Sequence, residues 1–169
     1  SKDNLYNNDQ IAILGGLKEV VSNDEYTINV FSQQSDESTI VNFIGKDFVT
    51  DNEGKIVYEN GKPKLEDKVL ESYEITRPKG ESGGGQFVSK APYKNASMFV
   101  FPNIAINSSY PGTDGNRHQY GTTSPVAVHE LLDHGVDFVR TGNNKNSSGP
   151  EQKNVQYQNN LIDLSDFSN

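Results

Sequence analysis

Two histidines and a glutamate lie within one short segment of the chain, His129-Glu130-Leu131-Leu132-Asp133-His134. Neutral imidazole nitrogens are good zinc ligands, and a glutamate next to the first histidine can act as a general base toward water. The common helical motif with this chemistry has its histidines four positions apart, whereas these two are five positions apart. The spacing therefore predicts a zinc site only if the helix can accommodate one additional residue.

Helix geometry leaves two ways to form such a site. On a straight α-helix, side chains four positions apart lie about 40° apart around the axis, and side chains five positions apart lie about 140° apart. A π-bulge absorbs one residue and would bring His134 back beside His129. We expect this bulge, with Gly135 providing backbone freedom. In the alternative, the helix stays regular and His129 pairs with Asp133, four positions later.

A catalytic zinc site needs a third protein ligand and an open fourth position. Glu151 is our first choice, because it begins the next predicted helix and a loop of about ten residues lets that helix pack antiparallel to the first. His118, Asp133 and Asp137 are the alternatives. Asp137 could instead accept a hydrogen bond from an imidazole N–H.

A hydrolase also needs a donor for the negative charge that develops on the substrate oxygen. Tyr120, Arg140 and Tyr157 are candidates. Tyr120 is preferred, because its loop leads directly into the predicted metal-binding helix. Taken alone, each of these residues is more often a surface or packing residue, and the histidines themselves could be structural members of an amphipathic helix.

Three helices are expected around these residues. Pro125–Val139 is the metal-binding helix, with Ser124 as N-cap and the proline in the first turn, where its missing N–H costs nothing. Asn8–Val21 has apolar residues on one face of a 3.6-residue period. Glu151–Leu161 follows Pro150 and is a second C-terminal helix.

The residues between the helices read as strands and polar loops. Asn60-Gly61 is a hairpin turn. The predicted strands are Tyr26–Ser32, Thr39–Ile44, Phe48-Val49, Ile56-Val57-Tyr58, Val69–Ile75 and the apolar run Met98–Ile106, and the predicted loops are Pro78–Gly85, Asn107–Thr123 and Thr141–Gly149.

These elements predict an α+β fold in one domain, residues 1–169. Residues 1–123 form a β-rich body, with an N-terminal helix and a mostly antiparallel sheet. Residues 124–169 form a helical metal-site region, with the metal-binding helix and then a C-terminal helix.

The amino-acid composition argues against some classes of binding partner and metal ligand. The formal net charge of −8 argues against nucleic acid and anionic membranes, because both repel an acidic surface. The chain has no cysteine, so a metal site must use histidine, aspartate, glutamate or water. No apolar run approaches the roughly 20 residues that span a bilayer. The chain begins Ser-Lys-Asp without a methionine, so we expect an excised domain or a processed product.

The segment His129-Glu130-Leu131-Leu132-Asp133-His134 resembles the H-E-L-L-G-H motif of the dipeptidyl-peptidase III family, with Asp133 where that family has glycine. A closer resemblance is to the toxin-associated metallopeptidase domains at the C-terminal ends of bacterial polymorphic (Rhs-type) toxins and among secreted effectors. It rests on Pro125–His134 and on the stretch from Glu151 to Asn159, about the last 45 residues.

This resemblance implies that His129, His134 and Glu151 are metal ligands and that Glu130 is the base. It also implies a domain secreted or delivered into a target cell and a possible immunity or inhibitor protein.

The predicted function is a zinc-dependent peptidase that cleaves a protein or peptide, as an effector or toxin domain. The alternatives are a non-catalytic binding or scaffold domain with structural histidines, and a metal-dependent cell-wall amidase.

Overall fold

A computed structural model describes residues 8–80, 83–111 and 114–143. The continuous helix over residues 124–141 contains two α-helical parts on either side of a π-helical turn, and we call it the site helix. In chain order the elements are α1 (Asn8–Ser22), β1 (Thr27–Ser32), β2 (Ser38–Phe48), β3 (Tyr58–Glu59), β4 (Lys62–Pro63), β5 (Leu65–Thr76), β6 (Gly85–Val88), β7 (Asn95–Val100), α2 (Pro102–Ala105), β8 (Ser109–Pro111), β9 (Arg117–Gln119), α3 (Ser124–His129), the π-helical turn (Glu130–Gly135) and α4 (Val136–Thr141).

Three short strands in the order β1-β7-β6 form the central sheet. β1 runs parallel to β7, with Thr27 opposite Asn95, and β6 runs antiparallel to β7, with Gly85 opposite Val100. Every residue of β7 is buried, as expected for a middle strand that is covered on both faces.

The helices cover one face of the central sheet. Met98 and Val100 of β7 pack there with Phe138 of the site helix. α1 packs on the outer side of the site helix through Val20, which contacts Leu132. This helix layer fixes the orientation of the site helix relative to the central sheet.

A long hairpin of β2 and β5 covers the opposite face. The two strands pair antiparallel from Ser38 opposite Thr76 to Phe48 opposite Leu65. Phe43 and Phe99 lie in the cluster between this hairpin and the central sheet, as period-two alternation along β7 requires. The protein therefore has a helix layer, a sheet and a hairpin layer around two apolar interfaces.

The predicted α+β class, the N-terminal helix and the mostly antiparallel pairing are confirmed. α1 extends one residue beyond the predicted end. The Asn60-Gly61 turn is confirmed too: both residues have positive φ, 53° and 76°, and they connect β3 to β4. β2 and β5 are longer than predicted, because they continue as a two-stranded arm beyond the core.

Two loop or strand predictions are wrong. The apolar run Met98–Ile106 is not one strand, because Pro102 lacks an N–H for the sheet and begins α2 instead. The predicted loop Asn107–Thr123 contains the β8–β9 hairpin. Within the described residues no helix is long and apolar enough to cross a membrane.

Ser124 is not the N-cap of the site helix. Thr123 occupies that position, without a side-chain hydrogen bond to the helix, and Pro125 lies in the first turn as predicted. The predicted helix Glu151–Leu161 lies outside the described residues, as does most of the predicted loop Thr141–Gly149. The single-domain prediction is not tested by the structure and stays a prediction.

Candidate metal centre

The site helix contains the predicted π-bulge. Residues Glu130–Gly135 form a π-helical turn between α3 and α4. In such a turn, residues five positions apart come onto the same face of the helix. The rings of His129 and His134 lie 5.4 Å apart, centroid to centroid, at an interplanar angle of 87°. The additional residue therefore reshapes the motif and keeps both imidazoles on one side.

Gly135 is not the cause of the bulge. Its φ of −67° and ψ of −45° are ordinary helical values that any residue adopts. A Cβ at this position would lie 3.4 Å from the Ile28 side chain, an ordinary contact. The expected role of Gly135 in backbone freedom is therefore wrong. The bulge instead coincides with packing of Leu132 and Val136 in the apolar cluster with α1.

His129, Glu130 and His134 each offer one ligand atom, and these atoms lie within 4.8 Å of one another. The two imidazoles are donors that suit zinc, and the carboxylate beside them is placed to act on zinc-bound water. Glu130 Oε2 is buried without a hydrogen-bond partner among the described residues, 3.8 Å from His134 Nε2. A buried carboxylate oxygen facing two imidazoles is what a cation site requires, so the residues present fit a zinc ion.

Glu130 is 5% exposed, and its burial has a specific cause. β6 passes so close to it that a Cβ on Gly85 would lie 2.6 Å from Glu130 Oε1 and 2.7 Å from Val126. Only glycine leaves room for this approach. Burial, followed by the negative charge of Asp133, raises the pKa of Glu130 to about 8, and Arg77 opposes this shift.

Each aspartate of the site helix interacts with one of the two histidines. The π-helical turn is present, and the candidate ligand group contains His134 and not Asp133, so the structure favours the bulge over the His129–Asp133 pair. Asp133 Oδ2 nevertheless lies 3.7 Å from His129 Nδ1. Burial raises the pKa of Asp137, while nearby His134 lowers it. This electrostatic contact is compatible with Asp137 as an acceptor for the His134 imidazole.

Two predicted candidates are engaged elsewhere. His118 lies on the exposed β8–β9 hairpin, where its Nε2 is 2.9 and 3.0 Å from the two carboxylate oxygens of Asp114. The hydrogen bond to His118 is the largest cause that holds the pKa of Asp114 far below its usual range. Arg140 donates two hydrogen bonds to Glu19 of α1, at 2.6 and 2.8 Å. His118 is therefore not part of the described group of His129, Glu130 and His134, and Arg140 connects two helices.

Tyr120 follows β9 and is half-buried, and its backbone N–H donates to the Ser108 carbonyl oxygen at 2.9 Å. Its role as an oxyanion donor is not tested and stays a prediction. Glu151, the predicted third ligand, and Tyr157 lie outside the described residues. The structure thus brings together His129, Glu130 and His134, and leaves the third ligand as a prediction.

Sequence reasoning missed the contribution of β6. Gly85 was assigned to the end of a loop, yet it begins the strand that presses on Glu130. Phe87, two residues later and on the same face, has its ring 5.9 Å from the ring of His134. The short alternating stretch Gln86-Phe87-Val88 after a glycine run was the available signal for this strand.

No protein-family model, no curated protein and no solved structure significantly matches this chain. The resemblance to toxin-associated metallopeptidases therefore rests on the sequence motifs alone and stays a prediction.

Proposed function

We propose that this protein is a zinc-dependent peptidase. The observation that carries the proposal is the π-helical turn, which places His129 and His134 on one side of the site helix, with the buried carboxylate of Glu130 within 4.8 Å of both. A helix distorted at this one point, at a cluster of metal-binding side chains, is typical of functional sites.

His129 and His134 would hold the ion, and Glu151 is the proposed third ligand. Zinc, when bound, polarises the substrate carbonyl and makes bound water a nucleophile near neutral pH. The fit of the site rests on the two imidazoles, which lie on one side of the helix, and the buried, unpartnered Oε2 of Glu130 supplies a proton acceptor beside them. Phe87, against His134, supplies an apolar wall that limits the movement of that imidazole.

Glu130 acts as the proton carrier in this proposal. Its carboxylate accepts a proton from the attacking water and returns it to the nitrogen of the leaving amine, so that the residue regains its initial state at the end of the reaction. The close approach of β6 at Gly85 excludes water from one side of the carboxylate. Glu130 is thereby held in one position for proton transfer.

Metal content and Glu130→Gln test the proposal together. Purified protein is expected to bind zinc at a stoichiometric level, measured by elemental analysis after dialysis. His134→Ala is expected to lose the zinc. His118→Ala is the matched control, because it removes a histidine that is bound to Asp114 outside the cluster. Equal zinc loss in both variants, or no zinc in the parent protein, contradicts the proposed site.

Activity is measured on unfolded protein substrates and on peptidoglycan side by side. Glu130→Gln is expected to retain zinc and to lose at least about 100-fold in cleavage rate, the scale typical of a general base. Cleavage of peptidoglycan alone would indicate the cell-wall amidase. Bound zinc with no cleavage of either substrate would indicate a non-catalytic binding domain.

A further inference from the structure

β1 is an edge strand of the central sheet, on the side opposite β6. The N–H of Thr27 donates to the Lys94 carbonyl, and the N–H of Gln33 donates to the Val100 carbonyl. Because backbone groups alternate along a strand, the odd-numbered residues of β1 point toward β7. The N–H and C=O groups of Ile28, Val30 and Ser32 therefore point outward, and among the described residues no strand pairs with this edge.

The features that usually protect an edge strand are missing from β1. Its sequence, Thr-Ile-Asn-Val-Phe-Ser, contains no charged residue and no proline. Its register with β7 is continuous, without a bulge. Val30, at the middle of the strand, is 62% exposed. An uncharged, regular edge with a central exposed β-branched residue is a template for pairing with another strand.

An open groove runs beside this edge. It has a volume of about 620 Å³ and lies between β1 and β2, with Asn29 and Phe31 on one side and Ile40 and Ile44 on the other. Ile40 and Ile44 are 57% and 45% exposed. A strand added to β1 would direct alternate side chains into this groove and cover the two isoleucines.

We propose that a second copy of this chain occupies the edge, with the two β1 strands paired antiparallel about a two-fold axis at Val30. In this register Val30 faces Val30 of the other copy, and Ile28 faces Ser32. These are the residues whose backbone groups point outward, so their hydrogen bonds are satisfied reciprocally. On the groove face, Phe31 of each copy lies opposite Asn29 of the other.

The side chains at this edge favour an uncharged strand, such as β1 of a second copy, over a basic segment. The β1 residues that would face each other are all neutral, so no like charges meet directly across the strand pair. The charged groups at the groove margin are already paired, with Lys94 2.7 Å from Glu25 and Lys46 2.7 Å from Asp67. Glu25 and Asp67 are the acidic side chains among the described groove residues, and both are paired, so a basic segment would gain no new ion pair with them, whereas an uncharged strand fits.

Pairing through β1 leaves both metal centres accessible. β6, which contacts Glu130, is the opposite edge of the central sheet. A two-fold axis perpendicular to the sheet places the two site helices on the same face of a continuous six-stranded sheet, at its outer edges. Pairing of the two copies through β1 therefore does not depend on the proposed peptidase activity.

The net charge gives the dimer a characteristic salt dependence. Each copy carries a formal charge of −8, so two copies repel each other at low ionic strength. The screening length falls from about 10 Å at 0.1 M salt to about 3 Å at 1 M. Self-association is therefore expected to strengthen with salt, whereas binding of a basic partner would weaken.

Analytical ultracentrifugation of the 169-residue chain over a concentration series, at 0.1 M and 1 M NaCl, tests the proposal. Val30→Lys places two like charges opposite each other and is expected to weaken the dimer roughly tenfold or more. Tyr58→Lys is the matched control, because Tyr58 is 63% exposed and lies on β3, far along the chain from β1. Ser32→Pro is a second variant, because it removes an outward N–H and leaves the hydrogen bonds to β7 intact.

A dimer that strengthens with salt and is weakened by both β1 variants, but not by Tyr58→Lys, supports the proposal. Circular dichroism confirms that each variant is folded. A monomer at all concentrations and both salt levels overturns it. A dimer that is insensitive to both β1 variants overturns it as well, since the interface must then lie elsewhere.

Discussion

Replacing Glu130 by glutamine is expected to stabilise the metal-free protein at neutral pH while it removes the proposed general base. The carboxyl group is 5% exposed, and Oε2 has no hydrogen-bond partner among the described residues. Ionising such a group in the folded protein is costly. Glutamine has nearly the same shape and no charge, so it avoids this cost.

The magnitude follows from the pKa of Glu130, which is raised from 4.5 to about 8. Below pH 4.5 the group is protonated in both the folded and the unfolded chain, so it has no effect on stability. Between pH 4.5 and 8 the unfolded chain releases the proton and the folded protein keeps it. The free energy of unfolding therefore falls as pH rises, by about 1.4 kcal/mol per pH unit, and levels off above pH 8.

At pH 7 this loss amounts to about 3 kcal/mol, and at pH 5 to less than about 1 kcal/mol. Glu130→Gln lacks the titrating group, so its stability advantage over the parent protein is expected to grow by about 2 kcal/mol between these two pH values. Other ionisable groups are the same in both proteins, so their contributions cancel in the difference.

Urea denaturation in the presence of EDTA, at pH 5 and pH 7, measures this difference. Glu74→Gln is the matched control: the same chemical change on an exposed position of β5, opposite Ile40, where no pH-dependent gain is expected. The same stability gain for Glu130→Gln at both pH values, or a parent protein that is more stable than the variant at pH 7, would refute a raised pKa for the buried Glu130 carboxyl group. Excess zinc is expected to narrow the difference, because a nearby cation favours the carboxylate.

Two further predictions concern glycines, one at Gly85 of β6 and one comparing Gly15 with Gly16 of α1. Gly85→Ala places a Cβ 2.6 Å from Glu130 Oε1 and is expected to reduce cleavage by roughly 100-fold by displacing the carboxylate, measured as kcat/KM with circular dichroism as a fold control. Gly15→Ala on α1 has no atom within 4 Å of the new Cβ, so it is expected to raise the free energy of unfolding by about 1 kcal/mol. Gly16→Ala, one position later, would overlap Leu132 and is expected to lower the free energy of unfolding. Urea denaturation measures both variants, and equal effects would contradict the packing of α1 on the site helix.

The centre of the candidate site was predictable from the sequence, because its constraint is local. His129 and His134 are five positions apart, and helix geometry allows only a distorted turn to bring them together. The Asn60-Gly61 turn was predictable for the same reason, since positive φ at two successive residues is a property of those residue types.

The surroundings of Glu130 were decided by tertiary structure. Gly85 and Glu130 are distant in sequence, and their contact exists only because β6 pairs with β7 and β7 packs on the site helix. No local pattern in the sequence specifies that pairing. Burial of the carboxylate, and with it the raised pKa, therefore could not be read from the motif.

The sequence by itself determined which residues can do chemistry and where the helix must distort, because both follow from residue type and spacing over a few positions. The tertiary structure alone decided the strand order β1-β7-β6, which sets β6 against the site helix and leaves β1 at the opposite edge. Strand pairing depends on contacts between distant segments, and alternation of apolar residues gives the face of a strand but not its neighbour.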